Sequence, residues 1–324
     1  MNTEAKILEF IRKRVNVRVE DIKQEFWLSR VSIHKYLIKL QRSKQIIKSG
    51  SSPKVFYSIL EENSEKCSPF ILSDSIKKEI EFNYLYISPT GQFLLGVKGF
   101  EYWCKKTKQD ITKTANDYIS TLKKYYHFKK DGLIDGTEKI KKTFSDIGLD
   151  KIFYLDFYSI DRFGKTKLGQ MLLYAKQSQN EKLIYELVEE IDSKINFFVK
   201  KYNITSVGFI PPTVKRELQL MRVLERSLNL NLKNINLEKI KNKFIVPQKT
   251  LFKLEDRIEN ARETIIVDGN NKHKNILLID DAVGSGATLN ETALQIRKKK
   301  ICTGKIYGLA IVGSFKGFDV ISEV

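Results

Sequence analysis

Cysteine, histidine, proline and tryptophan are all scarce in this chain, with 3, 3, 6 and 2 residues among 324. Three well-separated thiols, Cys67, Cys104 and Cys302, exclude a disulfide framework and a clustered zinc site, and they suit a reducing cytoplasm. His34, His127 and His273 are too few and too scattered for a multi-histidine metal centre. No apolar run approaches the roughly 18 residues a membrane helix needs, so no membrane partner is expected. The stretch from Met1 to Phe10 is charged and helical in spacing rather than a leader peptide. Acid is short as well: 39 Asp and Glu stand against 57 Lys and Arg, a formal charge of +18. Such an excess points to polyanions.

The excess is uneven. Residues 1–60 hold 13 Lys and Arg against 5 Asp and Glu, so nearly half of it sits in less than a fifth of the chain. The spacing there predicts an amphipathic helix over Ala5–Arg14, with Ile7, Leu8 and Ile11 on one side, and a second over Val19–Phe26. A third starts after Leu28, with Ser29 as N-cap and Val31, Ile33, Leu37 and Leu40 facing inward. Ile46–Lys48 and Val55–Ser58 read as strands around a small-residue tip, Ser49 to Lys54. Three helices and a hairpin resemble a winged helix-turn-helix domain. The resemblance implies that Ser29, Arg30, Ser32, His34 and Lys35 face DNA bases or phosphates, with Lys48 and Lys54 on phosphates. Protein contact or homodimer formation is the other use of such a domain.

Residues 61–75 are polar and read as a linker. Residues 76–150 read as an α+β segment of unassigned role, with a hairpin around Pro89-Thr90-Gly91 and a helical stretch from Gly99 toward Tyr126. Its aromatics, among them Phe100, Trp103, Tyr118 and Tyr125, read as core rather than as base-stacking side chains.

From Ile152 strand and helix patterns alternate, which predicts an α/β unit over 151–324 with a parallel sheet covered on both faces. The most informative run is Ile276 to Leu289. Four apolar residues read as a buried strand; Asp280 and Asp281 follow; then Val283, Gly284, Ser285, Gly286, Ala287 and Thr288 lead into a helix over Leu289–Ile296. Small residues let backbone N–H groups approach a phosphate, and the helix adds its positive end. Two carboxylates repel a bare phosphate but accept from sugar hydroxyls, so a ribose 5-phosphate fits the order of groups.

That run resembles the phosphoribosyl pyrophosphate (PRPP) motif of type I phosphoribosyltransferases. After the strand Val207–Ile210 come Pro212, Thr213, Lys215 and Arg216, where the resemblance implies a pyrophosphate-binding loop. Gln248-Lys249-Thr250-Leu251, followed by Arg257 and Asn260, is similar to the hood of the competence-protein-F branch, although the arginine that usually opens that hood is missing, with Lys241 and Lys243 the nearest cations. The resemblance implies that Asp280 and Asp281 hold the ribose hydroxyls and, through these or water, Mg²⁺, while Arg257 and Lys249 offer charge to the leaving pyrophosphate. No residue stands out as general base for an acceptor.

Three functions fit this pairing. One is a transferase moving ribosyl phosphate. A second is a regulator sensing PRPP without catalysis, as in the purine repressor of Gram-positive bacteria. The third resembles the ribosyltransferase/DNA-binding effectors of retron anti-phage systems, whose partners would be a reverse transcriptase and its RNA/DNA product.

Overall fold

Apolar spacing and caps account for the first five elements. The computed structural model describes residues 3–14, 16–43, 45–49, 53–59, 72–214, 216–240 and 246–314, less the side chain of residue 249. It forms two compact units, residues 1–69 and 70–324. In the first, α1 (Thr3–Arg14), α2 (Val19–Phe26) and α3 (Arg30–Arg42) precede an antiparallel pair, β1 (Ile46–Ser49) and β2 (Phe56–Ile59). Ile7, Ile11, Ile22, Ile33, Leu37 and Leu40 are buried together with Tyr57. The Ser29 hydroxyl accepts the Ser32 N–H at 3.2 Å and so caps α3 as its sequence implies. Val17 exchanges two backbone hydrogen bonds with Tyr57, tying the α1–α2 turn to the hairpin.

The second unit opens with α4 (Asp74–Asn83), the hairpin β3 (Leu85–Ile87) and β4 (Phe93–Leu95), then α5 (Gly96–Lys106) and α6 (Ile111–Tyr126). The expected single helix toward Tyr126 is thus two: Lys108 takes φ 55° and the Asp110 carboxylate accepts the Lys113 N–H at 2.7 Å, starting a new helix. Phe100, Tyr118 and Tyr125 are core, with ring centroids of Phe100 5.0 Å from Tyr84 and 5.6 Å from Tyr118, whereas Tyr102 and Phe128 are exposed. Next come β5 (Lys129–Lys130), β6 (Leu133–Asp135), α7 (Thr137–Thr143), β7 (Lys151–Phe157), and a small hairpin of β8 (Ser159–Ile160) and β9 (Gly164–Lys165). The chain continues through α8 (Lys167–Ser178), α9 (Glu181–Lys201), β10 (Ser206–Phe209), α10 (Leu220–Ser227), β11 (Lys233–Asn234) and β12 (Asn236–Lys239). After a short turn at Gln248–Thr250 it ends with α11 (Leu254–Thr264), β13 (Ile265–Asp268), β14 (Ile276–Val283), α12 (Ala287–Lys298) and β15 (Ile306–Gly313).

Among the described residues seven strands form one sheet, ordered β11-β10-β14-β15-β7-β6-β5. The first five run parallel, and β6 and β5 are antiparallel, so residues 129–135 extend the same sheet. Alternation along β14 serves two cores: Ile276 and Leu278 pack with α12 and the aromatics, Leu277 and Ile279 with α8, α9 and α10. Both faces are covered. Strand β14 also runs four residues further than its apolar stretch, through the acidic pair to Val283, because β15 pairs with it as far as Val283↔Gly313.

Candidate functional site

Strands β10 and β14 are neighbours, yet the chain leaves them toward opposite faces. After β10 it passes to α10, which packs with α8 and α9; after β14 it enters α12, which packs on the other core. Their loops therefore part at the carboxyl ends of the strands, where α/β sheets open a crevice. A cleft of about 220 Å³ lies there.

On the β14 side the cleft is walled by Asp280, Asp281 and the stretch Val283, Gly284, Ser285, Gly286, Ala287 and Thr288. Gly286 is the N-cap of α12 at φ +84°, where a Cβ would also stand 2.3 Å from the Ile140 side chain. The Ser285 hydroxyl accepts the Ala287 N–H at 3.3 Å. The next N–H groups of the helix lack intrahelical partners and mark an anion-binding end.

The carboxylates differ in surroundings. Asp281 is ion-paired with Lys176 of α8 at 2.7 Å, both side chains 18% exposed. Asp280 accepts its neighbour's N–H at 2.8 Å. Burial, and then the charge of Asp281, push the Asp280 carboxyl well above the ordinary carboxylate range. Lys239 of β12, half-buried on the same side of its strand as Leu237, is pushed down to about 8 by burial, partly opposed by Asp280.

On the β10 side Pro212, Thr213 and Arg216 line the cleft, while Lys215 lies outside the described residues. Arg216 donates to the Lys176 carbonyl, and the Leu218 N–H donates to the Gln179 side chain at 3.2 Å, stitching this loop to the end of α8. The side chain of Lys249 is likewise outside the described residues.

Gln248 and Arg257 complete the rim. The hood residues brace one another: Gln248 donates to the Arg257 carbonyl at 3.0 Å, Arg257 Nε to the Leu251 carbonyl at 2.8 Å, and Asn260 to the Val246 carbonyl at 3.4 Å. Arg257 is 7% exposed, and burial disfavours its charge. Among the described residues one of its terminal nitrogens, itself buried, has no hydrogen-bond partner. A charged donor buried in this way invites an anionic acceptor, and Arg257 is one of the residues lining the cleft.

Residues of the segments 212–216, 248–257 and 280–288 thus line one cleft. Lys176 and Lys239 were not legible as site residues. Lys176 lies in an ordinary amphipathic helix with no motif around it. Lys239 had a signal, its period-two match with Leu237, but a two-residue alternation is weak. Among the described residues no cluster of three or more His, Cys, Asp or Glu is placed to hold a metal ion. Asp280 and Asp281 are the cleft carboxylates that would hold a hard cation such as Mg²⁺.

In the first unit Ser29, Arg30, Ser32, His34 and Lys35 occupy the start of α3, all exposed except the half-buried Ser32, and Lys48 and Lys54 are exposed at the hairpin. Ser29 is engaged as the cap, and its hydroxyl lies 3.0 Å from that of Ser32. Arg30 is ion-paired with Glu20 of α2 at 2.9 Å. Trp27, which no motif in the sequence marks, is 92% exposed at the α2–α3 turn.

No protein-family model matches the chain, and no curated protein does. Solved structures similar to it include a hypoxanthine phosphoribosyltransferase from Staphylococcus aureus, at 14% identity and TM-score 0.24, over 42% of this chain and 78% of that one. Another is a purine phosphoribosyltransferase from Pyrococcus horikoshii Ot3, at 15% identity and TM-score 0.21, over 41% and 92%.

Proposed function

We propose that the second unit binds PRPP with Mg²⁺ and that the first binds nucleic acid. The carrying observation is the meeting, in one crevice, of an acidic pair, a glycine-capped helix end and Arg257, whose guanidinium has a buried nitrogen without a partner among the described residues. A sugar phosphate extended by pyrophosphate satisfies all three. Its 5-phosphate meets the Gly284–Thr288 backbone, its hydroxyls reach Asp280 and Asp281, and its pyrophosphate faces Arg257 and Arg216. Lys176 gives up Asp281 on binding and turns to the pyrophosphate. In a transfer reaction the two carboxylates would stabilise positive charge growing at the sugar C1, and the cations would hold the departing pyrophosphate. Bound Mg²⁺ would add neutralising charge at the phosphate oxygens.

A sensor without catalysis is the second reading, and the hood favours it more than its residue types suggest. Gln248, Arg257 and Asn260 each bond to backbone of their own segment, so a pure sensor needs them as well. Calorimetry with Mg²⁺-PRPP, beside an assay for released pyrophosphate across bases, nucleotides and nucleic acid, separates the readings. Binding that Asp281→Asn abolishes supports the site, and release supports the transferase. Absence of binding sinks both readings.

For the first unit the exposed start of α3 and the surplus charge support DNA binding that weakens steeply with salt. Arg30→Ala and Lys35→Ala are expected to reduce it; unchanged affinity in both would refute this placement. Within that reading we place the chain among retron-type effectors. A neighbouring reverse-transcriptase gene supports this, and purine or competence genes count against it.

A further inference from the structure

The amino-terminal edge of the parallel sheet carries a charge cluster that the cleft does not use. Lys233, Ser206, Ile276 and Ile306 are register partners across β11, β10, β14 and β15. Three interstrand gaps of about 4.8 Å make that row roughly 15 Å long. Lys233 stands in the row, Lys305 directly precedes it, and Lys272 and Lys274 enter it from the loop before β14. The loops are locked together. The His273 N–H donates to the Ile301 carbonyl at 2.9 Å, Thr303 N–H to the His273 carbonyl at 2.8 Å, and Ile276 N–H to the Lys305 carbonyl at 2.9 Å. A buried Ser206–His273 contact of 2.6 Å anchors the loop to β10.

Lys298 and Lys300, at the end of α12, complete six exposed lysines. None of the six forms an ion pair among the described residues. Of the nearby carboxylates Asp150 is ion-paired with Arg297 at 2.6 Å, and Glu225, which accepts from Asn234 at 3.4 Å, keeps its charge. A helix C-terminus accounts for lysines such as Lys298 and Lys300. It does not account for Lys233, Lys272, Lys274 and Lys305, which come from three other segments.

We infer that this edge is a second nucleic-acid contact, one that grips the phosphate backbone without reading sequence. Duplex DNA carries one charge per ~1.7 Å of axis with both strands counted and ~3.4 Å along each, so a strand laid along the row places about four or five phosphates against six lysines on packed loops. The edge lies at the opposite end of β14 from the cleft, with four residue steps, about 13 Å, from Ile276 of the row to Asp280 of the cleft. It therefore anchors nucleic acid and presents nothing to the cleft. The inference does not depend on PRPP binding or on the role of α3.

The test measures affinity of the full chain for a random-sequence duplex over a series of salt concentrations. Replacing Lys233, Lys272, Lys274 and Lys305 by Ala is expected to weaken binding on the order of tenfold or more and to lower the salt slope by about 3.6. A control lacking Lys105, Lys108, Lys113 and Lys142, exposed elsewhere, is expected to change little. Equal losses in both variants, or no loss in the first, would overturn the inference. So would binding of phosphatidylserine vesicles in preference to DNA. On the unaltered protein, duplex should protect Lys272, Lys274 and Lys305 from acetylation; unprotected lysines also overturn it. Variants of α3 alone report on the first unit, so the two contacts fail separately.

Discussion

Arg257 has two duties at two ends of one side chain. Nε holds the Leu251 carbonyl, and a terminal nitrogen lies buried without a partner among the described residues. Lysine cannot do both, because it offers a point charge without the planar fork. Arg257→Lys is expected to weaken Mg²⁺-PRPP binding by about ten- to a hundredfold, the range for a lost hydrogen bond to a charged group, read by calorimetry. Unchanged affinity would leave Arg257 as a brace only. Asp280 gives a pH-dependent prediction. Its folded-state value lies above the ordinary one near 3.9, so between the two the folded protein holds more protons than the unfolded chain. Stability then falls as pH rises through that interval. An asparagine side chain at this position has no proton to lose and keeps an oxygen for the Asp281 N–H. Ligand-free Asp280→Asn should therefore melt higher than the parent near pH 8, by a margin that vanishes toward about pH 4. A margin constant with pH would contradict it.

Helix α12 shows how one element joins loop, sheet and neighbouring segment. Its first turn caps the cleft with Gly286, and its second carries Asn290, which is fully buried. Asn290 accepts the Gly148 N–H at 3.0 Å and donates to the Asp146 carbonyl at 2.9 Å, fixing the loop before β7. A Cβ at Gly148 would meet backbone of α12 at 2.4 Å, so the loop lies directly on the helix. Asn290→Ala strands two backbone groups and should cost about 2–3 kcal/mol in urea unfolding, with an unchanged slope. A loss below about 0.5 kcal/mol would mean that water replaces the amide. The helix start was legible from Gly284-Ser285-Gly286, since small residues before an apolar-periodic run mark a loop entering a helix. Asn290's partners were not, because 142 and 144 residues separate them in sequence.

At the scale of the molecule, each unit has its own buried core: Ile7 to Tyr57 in one, the sheet with its two covered faces in the other. A fragment of residues 70–324 is therefore expected to fold cooperatively and keep its Mg²⁺-PRPP affinity within about threefold, while losing the salt-sensitive DNA contact of α3 but not that of the lysine edge. Calorimetric melting and binding on the fragment check this. Loss of folding would show that the cores are not independent.

The sequence alone determined what is local: helix periodicity, the Ser29 cap, the buried parallel strand and the acidic pair before a glycine loop. These follow from side-chain spacing and backbone freedom within a few residues. Tertiary structure decided what meets across the chain. It brought Lys176 and Lys239 to the acidic pair, turned the hood's Gln, Arg and Asn onto their own backbone, and gathered lysines from four segments at one edge of the sheet. Strand order and the side on which each helix packs set those meetings, and no single stretch of residues encodes them.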